Sequence, residues 1–237
     1  MISEVAFARD FSAFWRTVTP TLEGFIRRMN RGLYDRDDVP MQTMTAANRR
    51  AYVNEVAFET FCVVSLRGQH AEVAQTAEAT IAAAADTVKR SASSIPSDGD
   101  YEDEFNSAEI QDIKEQVRRL TKRLVTPGSH RLYKPEFRGC GIIDTCRGDA
   151  LVGNTLFEVK AGDRSFRSID VRQLLTYLAL NFVSGQYGIR FGGLVNPRIG
   201  VSFEVEVEEL CFEVSGRDAS GLLSDISYAI SSGEISR

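Results

Sequence analysis

Gly148-Asp149-Ala150-Leu151-Val152-Gly153-Asn154-Thr155-Leu156-Phe157-Glu158-Val159-Lys160 is the stretch that decides the fold. Two short apolar runs flank Gly153-Asn154, a dipeptide that accepts the positive φ angles of a tight hairpin turn. In a two-residue hairpin Val152 faces Thr155, so Asp149 faces Glu158 and Arg147 faces Lys160. Side chains alternate along a strand, which puts Glu158 and Lys160 on one face and Val159 on the other. Asp149 then lies beside Glu158 and near Lys160. Two carboxylates and an ammonium on one spot of a sheet make a divalent-metal site with a built-in cation.

Outward from this hairpin, the pattern is extended on both sides. Strands are expected at Arg131–Phe137, Gly141–Cys146, Ala150–Val152 and Leu156–Ala161, followed by a helix from about Ser168 to Phe182 with Ser168 as N-cap. Strand-like Ile189–Val195 and Val201–Val214 come next, then a terminal helix through Leu222, Leu223, Ile226 and Ile230. Upstream, an amphipathic helix from about Ser107 to Leu124 carries Ile110, Ile113, Val117, Leu120 and Leu124 on its core face. Its other face carries Lys114, Arg118, Arg119, Lys122 and Arg123. The order is that of an α/β domain with a mixed sheet flanked by helices.

Residues 1–90 read as an all-helical region: Phe11, Phe14, Trp15 and Val18, then Leu22, Phe25, Ile26 and Met29, recur at helical spacing around a break at Pro20. Thr43 or Thr45 can cap a third helix through Val53, Val56, Ala57, Phe61 and Val64, and Ala71 to Lys89 forms an alanine-rich fourth. Residues 91–106 are polar, acidic and broken by Pro96 and Gly99, a linker or exposed loop. The α/β domain then spans 107–237.

With 237 residues, the chain can hold one large domain, or one domain and a helical appendage. No apolar run approaches the ~20 residues of a membrane span, and the N-terminus lacks the pattern of an export signal. Cys62, Cys140, Cys146 and Cys211 are scattered, and the only histidines are His70 and His130. Zinc clusters and His-based chemistry are therefore disfavoured, and reduced thiols in a cytoplasmic protein are expected. The formal charge of −5 hides an asymmetry: Asp112 to Arg172 holds 13 Lys and Arg against 8 Asp and Glu. Phosphate contacts are local, so an acidic chain with a basic segment is compatible with nucleic acid.

Glu158-Val159-Lys160, with Asp149 on the preceding strand and a helix downstream, resembles the PD-(D/E)xK nuclease superfamily, whose fold is restriction-endonuclease-like. Gln173-Leu174-Leu175-Thr176-Tyr177 adds the QxxxY helix of its exonuclease-like branch; residues at i and i+4 share a helix face. The resemblance covers roughly Ser107 to Val214. It implies Mg²⁺, with Mn²⁺ as a substitute, held by Asp149, Glu158 and the Val159 carbonyl. It gives Lys160 the task of orienting or deprotonating the attacking water, with its pKa lowered by the metal, and Gln173 that of ordering the site. Arg164, Arg167 and Tyr177 become candidate nucleic-acid contacts, helped by the N-terminus of the Ser168 helix.

Two features depart from the family pattern. Gly148, not proline, precedes Asp149, and Asp144 in Gly141-Ile142-Ile143-Asp144 matches the Gly-x-Ile-Asp signature of the same branch. Hairpin parity puts Asp144 on the wrong face unless a bulge at Gly148 intervenes, so Asp149 is preferred. Some members add an upstream helical glutamate, and spacing does not choose between Glu109 and Glu115. The resemblance implies a DNA-cleaving enzyme of phage defence, restriction or repair, as a homodimer if it cuts both strands. The alternatives are a nuclease-fold subunit silent without a helicase, ATPase or methylase partner, and an α/β binding protein with a chance Glu-x-Lys.

Overall fold

The structure, a computed structural model, describes residues 1–42, 44–66, 77–91 and 104–233. It opens with helices α1 (Glu4–Asp10), α2 (Ser12–Val18) and α3 (Leu22–Arg28), a π-type turn at Met29–Leu33 and the short strand β1 (Asp35–Arg36). Helices α4 (Arg50–Leu66), α5 (Glu78–Arg90) and α6 (Ser107–Leu124) follow. Then come β2 (Arg131–Tyr133), β3 (Glu136–Phe137), β4 (Cys146–Arg147), β5 (Ala150–Val152) and β6 (Thr155–Val159). The order closes with α7 (Ser168–Ser184), β7 (Phe191–Asn196), β8 (Val201–Glu206), α8 (Val207–Ser215) and α9 (Ala219–Ser232). The chain is α/β with a mixed six-stranded sheet.

Two compact units divide it: Met1–Arg36, Gly128–Asn196 and Val201–Arg237 form one, Asp37–Pro127 with Pro197–Gly200 the other. The division differs from the expected 1–90 and 107–237. The first 36 residues belong with the sheet, to which β1 adds an edge strand beside β8, and α6 belongs with the helices.

In the sheet unit the strand order is β1-β8-β7-β6-β5-β2, with β3 and β4 as a separate pair. All neighbours are antiparallel except β6 and β7. A parallel pair needs a crossover, and α7 supplies it. Its Val171, Leu174, Leu175, Leu178 and Leu180 are buried, which at ~1.5–3 kcal/mol per fully buried aliphatic side chain makes α7 the central apolar element. A side chain at Gly193 would come within 2.4 Å of the Phe157 ring, so glycine there lets β6 and β7 pair around that ring.

In the helical unit, α6 packs on α4, burying Ile113, Val117, Leu120 and Leu124 against a helix that buries Tyr52, Val53, Val56 and Phe61. Asn106 caps α6: its side chain accepts from Glu109 N–H at 3.0 Å, and Glu109 accepts from Asn106 N–H at 3.1 Å. α5 packs on α4 through a face that includes Ile81, Ala84, Ala85 and Val88.

Several expected elements differ. Arg131–Phe137 is broken at Lys134, whose φ of 55° no strand accommodates. Gly141–Cys146 is a turn, with Gly141 at φ 52° pressed against the Ile230 carbonyl, and only Cys146 enters a strand. Val201–Val214 is strand only to Glu206; the rest is α8, because apolar Leu210, Cys211 and Val214 recur at helical spacing. Ser168 is not the N-cap of α7: Arg167 holds that position, its N–H bonded to Asp170 at 2.8 Å. Thr45 does not cap α4, which begins at Arg50; its hydroxyl bonds Asp112 instead. Thr43, residues 71–76 of the alanine-rich segment and most of the acidic 91–106 stretch lie outside the described residues.

Among the described residues no helix is long and apolar enough to cross a membrane. All four cysteines are free, and Cys62, Cys146 and Cys211 are buried.

Candidate functional site

The β5–β6 hairpin has the expected register: Val152 pairs Thr155, Leu151 pairs Leu156 and Ala150 pairs Phe157. Gly153 takes φ 58°, and Asn154 does not share the positive φ, as in a turn with glycine at its first central position. The ladder stops at Ala150. Two residues earlier the chain jogs at Gly148, where a side chain would crowd the Phe137 ring at 3.1 Å. Arg147 is thereby carried into the separate β3–β4 pair opposite Glu136, not opposite Lys160 as continuous pairing required. The jog is pinned by Lys134 N–H to the Asp149 carbonyl at 2.8 Å and Gly148 N–H to the Pro135 carbonyl at 3.0 Å.

Asp149 thus meets β6 at its end, its carboxylate accepting from Val159 N–H at 2.6 Å. The next side chain along β6, Glu158, is 3% exposed and accepts from Lys160 Nζ at 2.7 Å. Lys160 also donates to Gln173 Oε1 at 2.7 Å, and Gln173 Nε2 donates to Tyr177 at 3.0 Å. Asp149, Glu158, Lys160 and Gln173 are therefore brought together. The period-2 rule for β6 and the i, i+4 rule for α7 account for this, since β6 and α7 pack on one another.

The electrostatics follow from burial. Loss of water, then the charge of Asp149, pushes the Glu158 carboxyl up to about 8, and Lys160 only partly offsets this. Burial works against the Lys160 ammonium, but Glu158 and Asp149 outweigh it and its pKa is raised. The lowering expected for Lys160 beside a metal is thus not what the protein groups alone impose. Glu158 Oε2 is buried and, among the described residues, has no hydrogen-bond partner for its lone pairs. Cys146 is buried nearby, its thiol pushed up to about 12 by desolvation and by Glu4 and Glu158.

Other candidates fall elsewhere. Asp144 is exposed in the turn before β4, outside any strand, with its N–H on the Ile2 carbonyl. Glu109 is a buried cap paired with Arg49 at 2.8 Å, and Glu115 pairs Arg118 and Arg119, all in the helical unit. Arg164 is engaged bidentately by Asp170 at 2.7 and 2.8 Å. Arg167 is exposed. Tyr177 is 1% exposed and stacked on Phe137, which removes it from any nucleic-acid surface.

Glu4 is the site residue the sequence did not offer. It begins α1, which packs on α7, and its carboxylate accepts from Tyr177 at 3.2 Å. The separation of 173 residues and a seven-residue helix leave no local signal for it. Val159 contributes a partly buried backbone position between Asp149 and Glu158. No protein-family model matches the chain, nor does any curated protein or solved structure.

Proposed function

We propose that the chain is a metal-dependent phosphodiesterase, a nuclease acting on DNA, with the PD-(D/E)xK site formed by Asp149, Glu158, Lys160 and Gln173. The observation that carries the proposal is the Glu158–Lys160–Gln173 row of hydrogen bonds, with Asp149 on the adjacent Val159 N–H and one oxygen of the buried glutamate bare among the described residues. A buried oxygen without a donor among the described residues, in a carboxyl whose ionised form burial disfavours, suits a cation, whose charge would hold it ionised. Among the described residues no three His, Cys, Asp or Glu side chains form a ready cage. Asp149, Glu158 and the Val159 carbonyl would therefore hold the ion with water completing its shell. That all-oxygen, water-rich set fits Mg²⁺, and Mn²⁺ accepts it too.

Bound there, Mg²⁺ would polarise the scissile phosphate and ease deprotonation of a coordinated water. Lys160, held between Glu158 and Gln173, would orient that water and offset charge as it gathers on the phosphate oxygens. Exposed Arg167 would steady the backbone of the substrate without reading sequence.

The test is cleavage by the purified chain of linear, circular and single-stranded DNA with Mg²⁺, beside RNA and metal-free controls. Glu158→Ala and Lys160→Ala should each abolish cleavage while leaving the fold intact; activity that survives both sinks the proposal. A second reading, a subunit active only with a helicase, ATPase or methylase, is favoured by the α4–α6 unit, which has its own core and supplies none of these residues. Cleavage that emerges only on adding such a partner would select it.

A further inference from the structure

Behind Lys160 lies a row of polar groups whose chemistry permits one direction of donation. An ammonium has no acceptor, so the atom of Gln173 that meets Lys160 at 2.7 Å must be the carbonyl oxygen. The amide nitrogen then faces Tyr177 at 3.0 Å, and the phenol oxygen must accept. Its own proton is left for Glu4 at 3.2 Å or the Arg147 carbonyl at 3.0 Å. Every bond runs outward from Lys160, and bonds aligned in this way polarise one another.

We propose that Tyr177 and Glu4 are positioning residues for Lys160, which makes α1 a working part of the site. With one N–H on Glu158 and one on Gln173, the remaining tetrahedral position of Nζ has a single direction, toward whatever Lys160 serves. Without the tyrosine hydroxyl the amide loses the partner that fixes its rotation, and that direction is no longer set. The framework for the chain is firm at both ends. The Tyr177 ring stacks on Phe137 at 5.2 Å between centroids. α1 is capped by Ser3, and Ile2 is bonded to the Ile142 carbonyl at 2.8 Å. The inference rests on the nuclease reading for its kinetic consequence only.

Tyr177→Phe keeps the ring and removes the hydroxyl. In the full chain with Mg²⁺ and linear DNA it should lower kcat about 10-fold or more, since displacement of a reacting group by about 1 Å costs up to roughly a hundredfold. KM should stay at the wild-type value, and the thermal midpoint should fall only as far as the loss of one buried, hydrogen-bonded hydroxyl requires, with the chain folded at the assay temperature. Exchange of the Gln173 side-chain amide protons, followed by NMR with ¹⁵N-glutamine label, should accelerate about tenfold or more in the same variant, whether or not DNA is cut. Glu4→Gln, which keeps an acceptor, should retain more activity than Glu4→Ala. A Tyr177→Phe enzyme with raised KM and unchanged kcat would make Tyr177 a substrate contact and overturn the assignment. Unchanged amide exchange overturns it as well, and Glu4→Gln as impaired as Glu4→Ala would make Glu4 a charge partner instead. Failure of the nuclease reading shows separately, as cleavage that survives Lys160→Ala, and the amide measurement still decides the hydrogen-bond chain.

Discussion

Asp112 in the helical unit and Glu158 in the sheet unit are 5% and 3% exposed, yet their surroundings treat them differently. Asp112 accepts from Thr45 and from both terminal nitrogens of Arg198, and Arg198 reaches Asn54 at 2.8 Å, which also accepts from Gln116 at 3.2 Å. A second pair close by, Arg49 with Glu109, is closed over by Tyr52 and Phe105. Among the described residues, Glu158 has one lysine on one oxygen and no hydrogen-bond partner on the other. Burying a carboxylate costs several kcal/mol and its partners must offset that. The helical cluster meets the cost with protein donors; the sheet cluster leaves part of it for something else to meet. Incomplete satisfaction of a buried charge is a mark of function where the other groups around it are ordered.

The comparison breaks most sharply on activity. Glu158→Ala or Lys160→Ala should cost on the order of 10³-fold or more in Mg²⁺-dependent cleavage, measured by single-turnover assay, because the groups act as a unit. Asp112→Ala should leave that chemistry alone, per folded molecule, and act on stability. Removing one partner of the buried Asp112–Arg198 pair should destabilise by about 3–5 kcal/mol, read from urea unfolding. Glu158→Gln should cost less than Asp112→Ala, since it removes a carboxylate whose burial Lys160 only partly offsets and keeps an acceptor for that lysine; a loss comparable to that at Asp112 would erase the distinction.

Mg²⁺ sharpens the same point. At roughly a hundred times its Kd it should stabilise the wild-type chain by about 2.7 kcal/mol, and Glu158→Ala should lose that gain. The smallest effect belongs to the surface. Glu115 is held down to about 2 by its hydrogen bonds to Arg118, against opposing burial, and then by Arg119. A carboxylate depressed on folding adds stability that is complete above its ordinary value near 4.5 and fades as pH falls toward 2. Solvent screening limits this to about 1 kcal/mol or less, so Glu115→Gln should flatten the acid limb of stability only slightly.

Much of the site was legible because its rules are local. The Gly153 turn pins the hairpin register, period 2 puts Glu158 and Lys160 on one face, and i, i+4 spacing aligns Gln173 with Tyr177. The α6 boundaries were legible too, from its apolar stripe, while the Asn106 cap emerged only in the structure. The misses came from packing. The Gly148 jog that moves Arg147 away depends on the Phe137 ring, and Arg119 is buried on a face that reads as basic, donating to the Pro197 carbonyl at 2.9 Å. Tyr177 looked available to DNA because a helix motif does not say what covers it.

By itself the sequence determined the hairpin, the alternation along β6, the α7 motif and the α/β class, because turn chemistry and side-chain periodicity act over a few residues. Only the tertiary structure decided that Asp149, which hairpin parity had favoured over Asp144, meets β6 on the Val159 N–H, that Arg164 is taken up by Asp170, and that Glu4 closes the row behind Lys160. These depend on where the chain returns after long separations, and there burial and hydrogen-bond geometry, not spacing, select the partner.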